Sequence, residues 1–206
     1  MQIRDAKIED LEQIVNIHID NFNKNELSII LGRVFVKKFY KECIEDKNVS
    51  LLILEDNNIV KALSTTFFDY EEFEIRYKKA ILKDFFKVVC LNVLNIKKLY
   101  IIARTILGKG KLKERLPNKN IYKFYMGSVV IDKKYQNDLA VVVGFHKAYK
   151  ENIEKMKNHS KIFWGSLRIS NQAAIKLTKM YGLNIYGEEK QYPENIYILI
   201  HNSELN

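Results

Sequence analysis

The sequence predicts one mixed α/β domain over residues 1–206, interrupted by a basic helical insertion at 71–120. Two observations carry this. Short β-rich runs alternate along the chain with longer stretches whose apolar residues recur at helical spacing, the pattern of a sheet covered by helices. The 206 residues, 47% hydrophobic and 29% charged, match a soluble globular chain with room for one sizeable core.

Gln2 to Arg4 reads as a short strand, and from Ile8 the residues Leu11, Ile14, Val15, His18 and Phe22 share one helical face. A second helical pattern runs from Ile29 to Ile44, with Leu31, Val34, Phe35, Lys38, Phe39 and Glu42 distributed between an apolar and a polar side. Ser50 to Glu55 and Ile59 to Phe68 have strand composition. Asp56, Asn57 and Asn58 between them tolerate positive φ, which predicts a β-hairpin. Glu71 to Asn120 reads as two amphipathic helices closed by the turn signals Gly108, Gly110 and Pro117. Ile121 to Ile131 then reads as a strand, Leu139 to Met156 as a helix, Lys161 to Leu167 as a strand and Asn171 to Tyr181 as a helix. Leu183 to Glu188 and Ile196 to His201 read as two closing strands.

The net charge of +9 is concentrated in one segment: 71–120 holds 13 Lys and Arg against 5 Asp and Glu. Such a stretch meets phosphates, nucleic acid or anionic lipid, although the chain is rich in Lys, Asn and Ile throughout and composition alone also accounts for it. No run reaches the roughly 20 apolar residues of a spanning helix, and the start lacks the apolar core of a secretory signal, so a cytoplasmic setting is expected. Cys43 and Cys90 form no CxxC or Cys/His cluster and read as buried or free thiols, with no metal site expected. No nucleic-acid-binding motif accompanies the insertion aromatics Phe73, Tyr77, Phe85 and Phe86.

Three stretches carry a resemblance. The opening runs IRDAKIEDLEQIVNIHIDNF; a late helix has Asn171, Ala174, Leu177, Gly182 and Leu183 in an Asn-x-x-Ala-x-x-Leu pattern followed by Gly and an apolar residue; and GSVVIDKKYQ places Asp132, Tyr135 and Gln136. Together with the order β-α-α-β-β, insertion, β-α-β-α-β-β, these resemble the GNAT superfamily of N-acetyltransferases over nearly the whole chain. The resemblance implies a mixed, mainly antiparallel sheet flanked by helices, with the insertion before the fourth strand. It also implies acetyl-CoA as co-substrate and direct transfer of its acetyl group to a small amine. Backbone groups of Val129, Val130 and Ile131 would hold the pantetheine arm. The Gln136, Asn137, Asp138, Leu139, Ala140, Val141 loop and Asn171 would complete the cofactor site. A narrower likeness, carried by Leu31, Gly32, Phe35, Phe39, Tyr40 and the basic aromatic insertion, is to acetyltransferases encoded with polysaccharide biosynthesis enzymes. It implies an amino-sugar acceptor, including a nucleotide-linked one.

The chain departs from that pattern at chemically important places. Where relatives carry two glycines in the phosphate loop it has Leu139 and Val141, and Asp138 adds a charge that repels a pyrophosphate. A helix that Asn137 or Asp138 simply caps and a divergent working loop are both compatible with these residues. Tyr125 stands where many relatives have a catalytic Glu, and Thr178 where many have an acid Tyr; Tyr181, three residues on, is either a substitute or core packing. His18, Phe22, Tyr40 and Asp69 are candidate substrate contacts, with packing or a charged strand exit as their plainer readings. His146 reads as surface or packing. No reactive cysteine suggests a covalent acetyl-enzyme. Two further readings stay open: a GNAT-fold binding or regulatory protein without catalysis, and a module whose basic insertion docks on an anionic membrane surface or a phosphorylated partner. The chain is expected to act as a monomer or homodimer.

Overall fold

The computed structural model describes residues 1–91, 98–100, 102–103, 114, 116–117, 119–190 and 194–202. β1 (Gln2–Asp5) leads through a 3-10 turn into α1 (Leu11–Asn21), whose Leu11, Ile14, Val15 and His18 face inward at the spacing read from the sequence. The second helical pattern is split, into α2 (Leu27–Leu31) and α3 (Arg33–Glu45). Gly32 makes the break with φ of +92, a conformation that strains any residue with a side chain. α3 then buries Phe35, Val36, Tyr40 and Cys43.

β2 (Val49–Asp56) and β3 (Ile59–Phe67) form the predicted hairpin, with Asn57 and Asn58 at φ of 51 and 63, as a two-residue turn matched to strand twist requires. Asp69 starts α4 (Tyr70–Leu91), its Oδ1 accepting from the Glu72 N–H at 3.1 Å. α4 packs on α3, and the Tyr77 hydroxyl donates to the Phe35 carbonyl at 3.1 Å. The second expected insertion helix lies outside the described residues, apart from helical residues at 98–100, 102–103 and 114. β4 (Tyr125–Ile131) is shorter than expected, because Lys119–Lys123 coil into a 3-10 turn. That turn buries Ile121 and Tyr122 against Trp164, whose indole N–H donates to the Tyr122 carbonyl at 3.2 Å. α5 (Leu139–His159), β5 (Ile162–Arg168), α6 (Gln172–Met180), β6 (Leu183–Glu189) and β7 (Ile196–Asn202) complete the chain.

The seven strands form one sheet in the order β1-β2-β3-β4-β5-β7-β6. Every neighbouring pair is antiparallel except β4 and β5. This is the mixed, mainly antiparallel sheet flanked by helices that the sequence predicts. α1 and α3 build one core layer with Ile53, Leu63 and Phe67, and α5 and α6 build another with Leu54, Met126 and Leu199. With both faces covered, β2 and β3 are buried along nearly their whole length rather than on alternate residues, and Ser64, Thr65 and Thr66 are buried with the apolar positions. The buried Asn152 fixes α5 on the sheet, its Nδ2 donating to the carbonyl and hydroxyl oxygens of Ser64, each at 2.9 Å. No helix among the described residues is long and apolar enough to cross a membrane.

Candidate active site

The one parallel strand pair is also the most weakly joined. β4 and β5 each run for seven residues but pair only at Tyr125↔Trp164 and Met126↔Gly165. Beyond those residues they diverge, β4 held by β3 and β5 held by β7 along its length. A bulge drives the divergence: Gly127 and Ser128 together face Thr65 of β3, which bends β4. Gly127 is required there, since a Cβ would lie 2.6 Å from Cε2 of Phe67 and 3.3 Å from the Thr65 carbonyl.

The open edge of β4 has a defined polarity. The Asp132 N–H donates to the Lys61 carbonyl on β3 at 2.9 Å. Strand alternation therefore turns the backbone groups of Val130 toward β3 and those of Val129 and Ile131 toward the fork. Gln136 already uses one of them, its Nε2 donating to the Ile131 carbonyl at 3.2 Å and to Asn21 Oδ1 at 3.1 Å. The groups left at Val129 and Ile131 suit an extended amide-bearing chain such as a pantetheine arm, laid down like a partial strand.

Tyr125 sits at the vertex. Its ring is 4.2 Å from that of Trp164 and 4.6 Å from that of Tyr70, and its hydroxyl is 3.2 Å from Ser166 Oγ. Desolvation raises its pKa, the Ser166 hydrogen bond opposes this, Glu26 adds to the rise and Arg168 opposes it. A phenol raised above its ordinary value of 10 stays protonated at neutral pH. Arg168 at the end of β5 grips Glu26 just before α2 with two bonds, Nε to Oε1 and Nη2 to Oε2, both 3.1 Å. This pair ties the connection between α1 and α2 to the far arm of the fork.

The start of α5 offers less than the usual helix N-terminus. Asp138 Oδ1 accepts from the N–H groups of Ala140 at 2.9 Å and Val141 at 3.3 Å, so its carboxylate fills the anion position itself. Leu139 is 75% exposed, whereas Val141 is wholly buried in the core. Asn137 and Ala140 are exposed. These residues do not fit a pyrophosphate as they stand; the fork fits the pantetheine arm.

The remaining candidates are placed elsewhere. His18 is 6% exposed, with Nδ1 3.0 Å from the Tyr40 hydroxyl and Nε2 2.9 Å from Ser28 Oγ, and its ring stacks on Phe22 at 4.0 Å. Desolvation lowers its pKa from 6.5 to about 4, so a neutral imidazole links α1, α2 and α3. Tyr40 is fully buried, and its hydroxyl lies beside Ser128 of the bulge. Asp69 caps α4, and Asn171 Oδ1 caps α6 through the Ala174 N–H at 3.1 Å. The Tyr181 hydroxyl donates to the His146 carbonyl at 3.3 Å, and its ring meets Tyr149 of α5. It borders a shallow groove of about 300 Å³ with Val142, Val143 and His146. Ser128, Ser166, Glu26 and Arg168 escaped the sequence reading. Glu26 and Arg168 lie 142 residues apart, and no local pattern connects them.

No protein-family model and no curated protein matches the sequence. Solved structures do match. A GNAT-family acetyltransferase from Streptococcus pneumoniae superimposes with a TM-score of 0.55 at 16% identity, over 97% of this chain and 96% of that one. A ribosomal-protein-alanine N-acetyltransferase from Brucella melitensis gives 0.58 at 13% identity, over 98% and 99%. Spermidine N-acetyltransferase from Vibrio cholerae gives 0.53 at 10% identity, over 99% and 96%. Identities this low speak for architecture alone, and on architecture the mixed, mainly antiparallel sheet and its flanking helices agree: the chain has the GNAT fold.

Proposed function

We propose that the chain is an N-acetyltransferase that moves an acetyl group from acetyl-CoA to a small amine. The observation that carries this reading is the fork, where outward-facing backbone groups of Val129 and Ile131 lead to a protonated tyrosine at the vertex. When bound, acetyl-CoA supplies the acetyl group as a thioester: a C–N bond forms at the amine, the C–S bond breaks, the amine gives a proton to water and the sulfur gains one. Val129 and Ile131 hold the arm, Tyr125 donates the proton and Ser166 orients the Tyr125 hydroxyl. Dependence on acetyl-CoA suits a cytoplasmic setting. An amino sugar, free or nucleotide-linked, is the acceptor favoured by the likeness around Leu31 to Tyr40.

The test is acetyl-CoA turnover against a panel of amines, amino sugars and nucleotide-linked amino sugars, followed by thiol release and product mass. Y125F is expected to lower kcat by about 10²- to 10⁴-fold with KM for acetyl-CoA little changed. Full activity in Y125F would remove the tyrosine from the chemistry. The way Asp138 occupies the α5 N-terminus favours one second reading, a binding or regulatory protein that keeps the fold without catalysis. Stabilisation by acetyl-CoA with no turnover on any amine would select that reading.

A further inference from the structure

α4 has two unlike faces. Phe73, Tyr77, Ile81, Phe85 and Val88 pack inward, whereas Ile75, Leu82 and Phe86 point outward and are 52%, 52% and 59% exposed. At 3.6 residues per turn these three fall within roughly 40° of one another, along about 16 Å of helix. A single exposed leucine is ordinary, but an aligned seam is not. Lys79, Lys83 and Lys87 stand exposed beside the seam and make no ion pair among the described residues. Lys78, on its other flank, pairs with Glu74 at 3.1 Å. Beyond Glu74 the one acid in α4 is Asp84, which turns inward to Lys38.

An apolar seam lined by unpaired lysines matches the interface between the hydrocarbon and the headgroups of an anionic bilayer. A second copy fits poorly, because a symmetric contact across this face sets Lys79, Lys83 and Lys87 against their own counterparts. We propose that the outward face of α4 docks the protein on an anionic lipid membrane, with Leu82 and Phe86 entering the headgroup layer and the three lysines meeting lipid charge. The face lies on the α3 side of the sheet, so docking leaves the α5–α6 side toward water. This inference stands apart from the proposed activity and holds for an active or an inactive GNAT fold.

The test is flotation of the full chain with vesicles of phosphatidylcholine alone or mixed with phosphatidylglycerol, at low and high salt. Binding is expected only to the anionic vesicles and should weaken with salt. K79Q/K83Q/K87Q should lower partitioning on the order of a hundredfold, and L82S/F86S at least roughly tenfold with all lysines intact. K150Q/K176Q/K179Q, the same charge loss on the α5–α6 side, should leave binding unchanged. Because every substituted side chain is exposed, circular dichroism and Tm should match the wild type, and light scattering reports the oligomeric state. Equal binding to neutral vesicles, no binding to anionic ones at low salt, or equal loss in both lysine variants would overturn the proposal. So would a dimer that L82S/F86S dissociates, which would make the face a self-contact.

Discussion

Replacing Asp138 by glycine separates the two halves of the proposed coenzyme site. In the wild type the carboxylate accepts two N–H groups at the start of α5, at 2.9 and 3.3 Å, in the place where a pyrophosphate needs them. The position has φ of −82, so glycine fits without strain, and its loss as a cap costs only a few tenths of a kcal/mol. Each charge-assisted bond that a phosphate gains is worth about 1.5 to 3 kcal/mol, or roughly 10- to 150-fold in affinity. The shorter bond alone therefore predicts at least a tenfold gain in acetyl-CoA affinity for D138G, with removal of a repulsive charge adding to it. Calorimetry with acetyl-CoA and with acetyl-pantetheine, which lacks the pyrophosphate, isolates the effect. Acetyl-pantetheine should bind both proteins equally through Val129 and Ile131, and acetyl-CoA should exceed it clearly only in D138G. A wild type that already binds acetyl-CoA far more tightly than acetyl-pantetheine, with no gain in D138G, would refute the reasoning and show that the loop serves the phosphate as it stands.

Two predictions concern stability. The pKa of His18 is depressed from 6.5 to about 4, so between those values the unfolded chain binds a proton that the folded chain refuses. Stability contributed by His18 is complete above pH 6.5 and falls by roughly 3 kcal/mol as pH drops to 4. Urea unfolding of H18Q should lack that share of the slope; the buried His201 acts in the same direction in both proteins and cancels in the comparison. Identical pH slopes would show that His18 titrates normally. At the bulge, G127A forces the Phe67 ring aside from a 2.6 Å contact and should lower stability by about 1 to 3 kcal/mol in chemical denaturation, whereas an unchanged midpoint would mean that the ring yields freely.

Local pattern was enough for most of the architecture. The Asn57–Asn58 turn, the inward stripe of α1 and the alternation of strand and helix are written in residue type and spacing, because positive φ and amphipathic periodicity are properties of short segments. The errors were local too. Gly32 stood inside an otherwise regular helical pattern, and periodicity passed over the break that its φ imposes. Ile121 and Tyr122 have strand composition, yet burial against Trp164 draws them into a 3-10 turn. In each case a tertiary contact or a backbone constraint outweighed a weak propensity.

The sequence by itself determined the order of elements, the basic character of the insertion and the loss of the loop glycines. It also marked Tyr125, Gln136 and Asp138 as positions to watch. Only the tertiary structure decided which groups those residues meet. Divergence of β4 from β5 depends on which strands hold each arm, and the Tyr125–Ser166 and Glu26–Arg168 contacts join residues 41 and 142 positions apart. His18 falls on a predicted apolar stripe, but its neutral state follows from Tyr40, Ser28 and Phe22 closing around it. Asp138 had two readings as a charge in a loop, and the direction of its carboxylate toward its own helix is a fact that only the fold supplies. Periodicity reports which side of an element is buried; which group meets which is settled by long-range packing, and the chemistry of this site lies in those meetings.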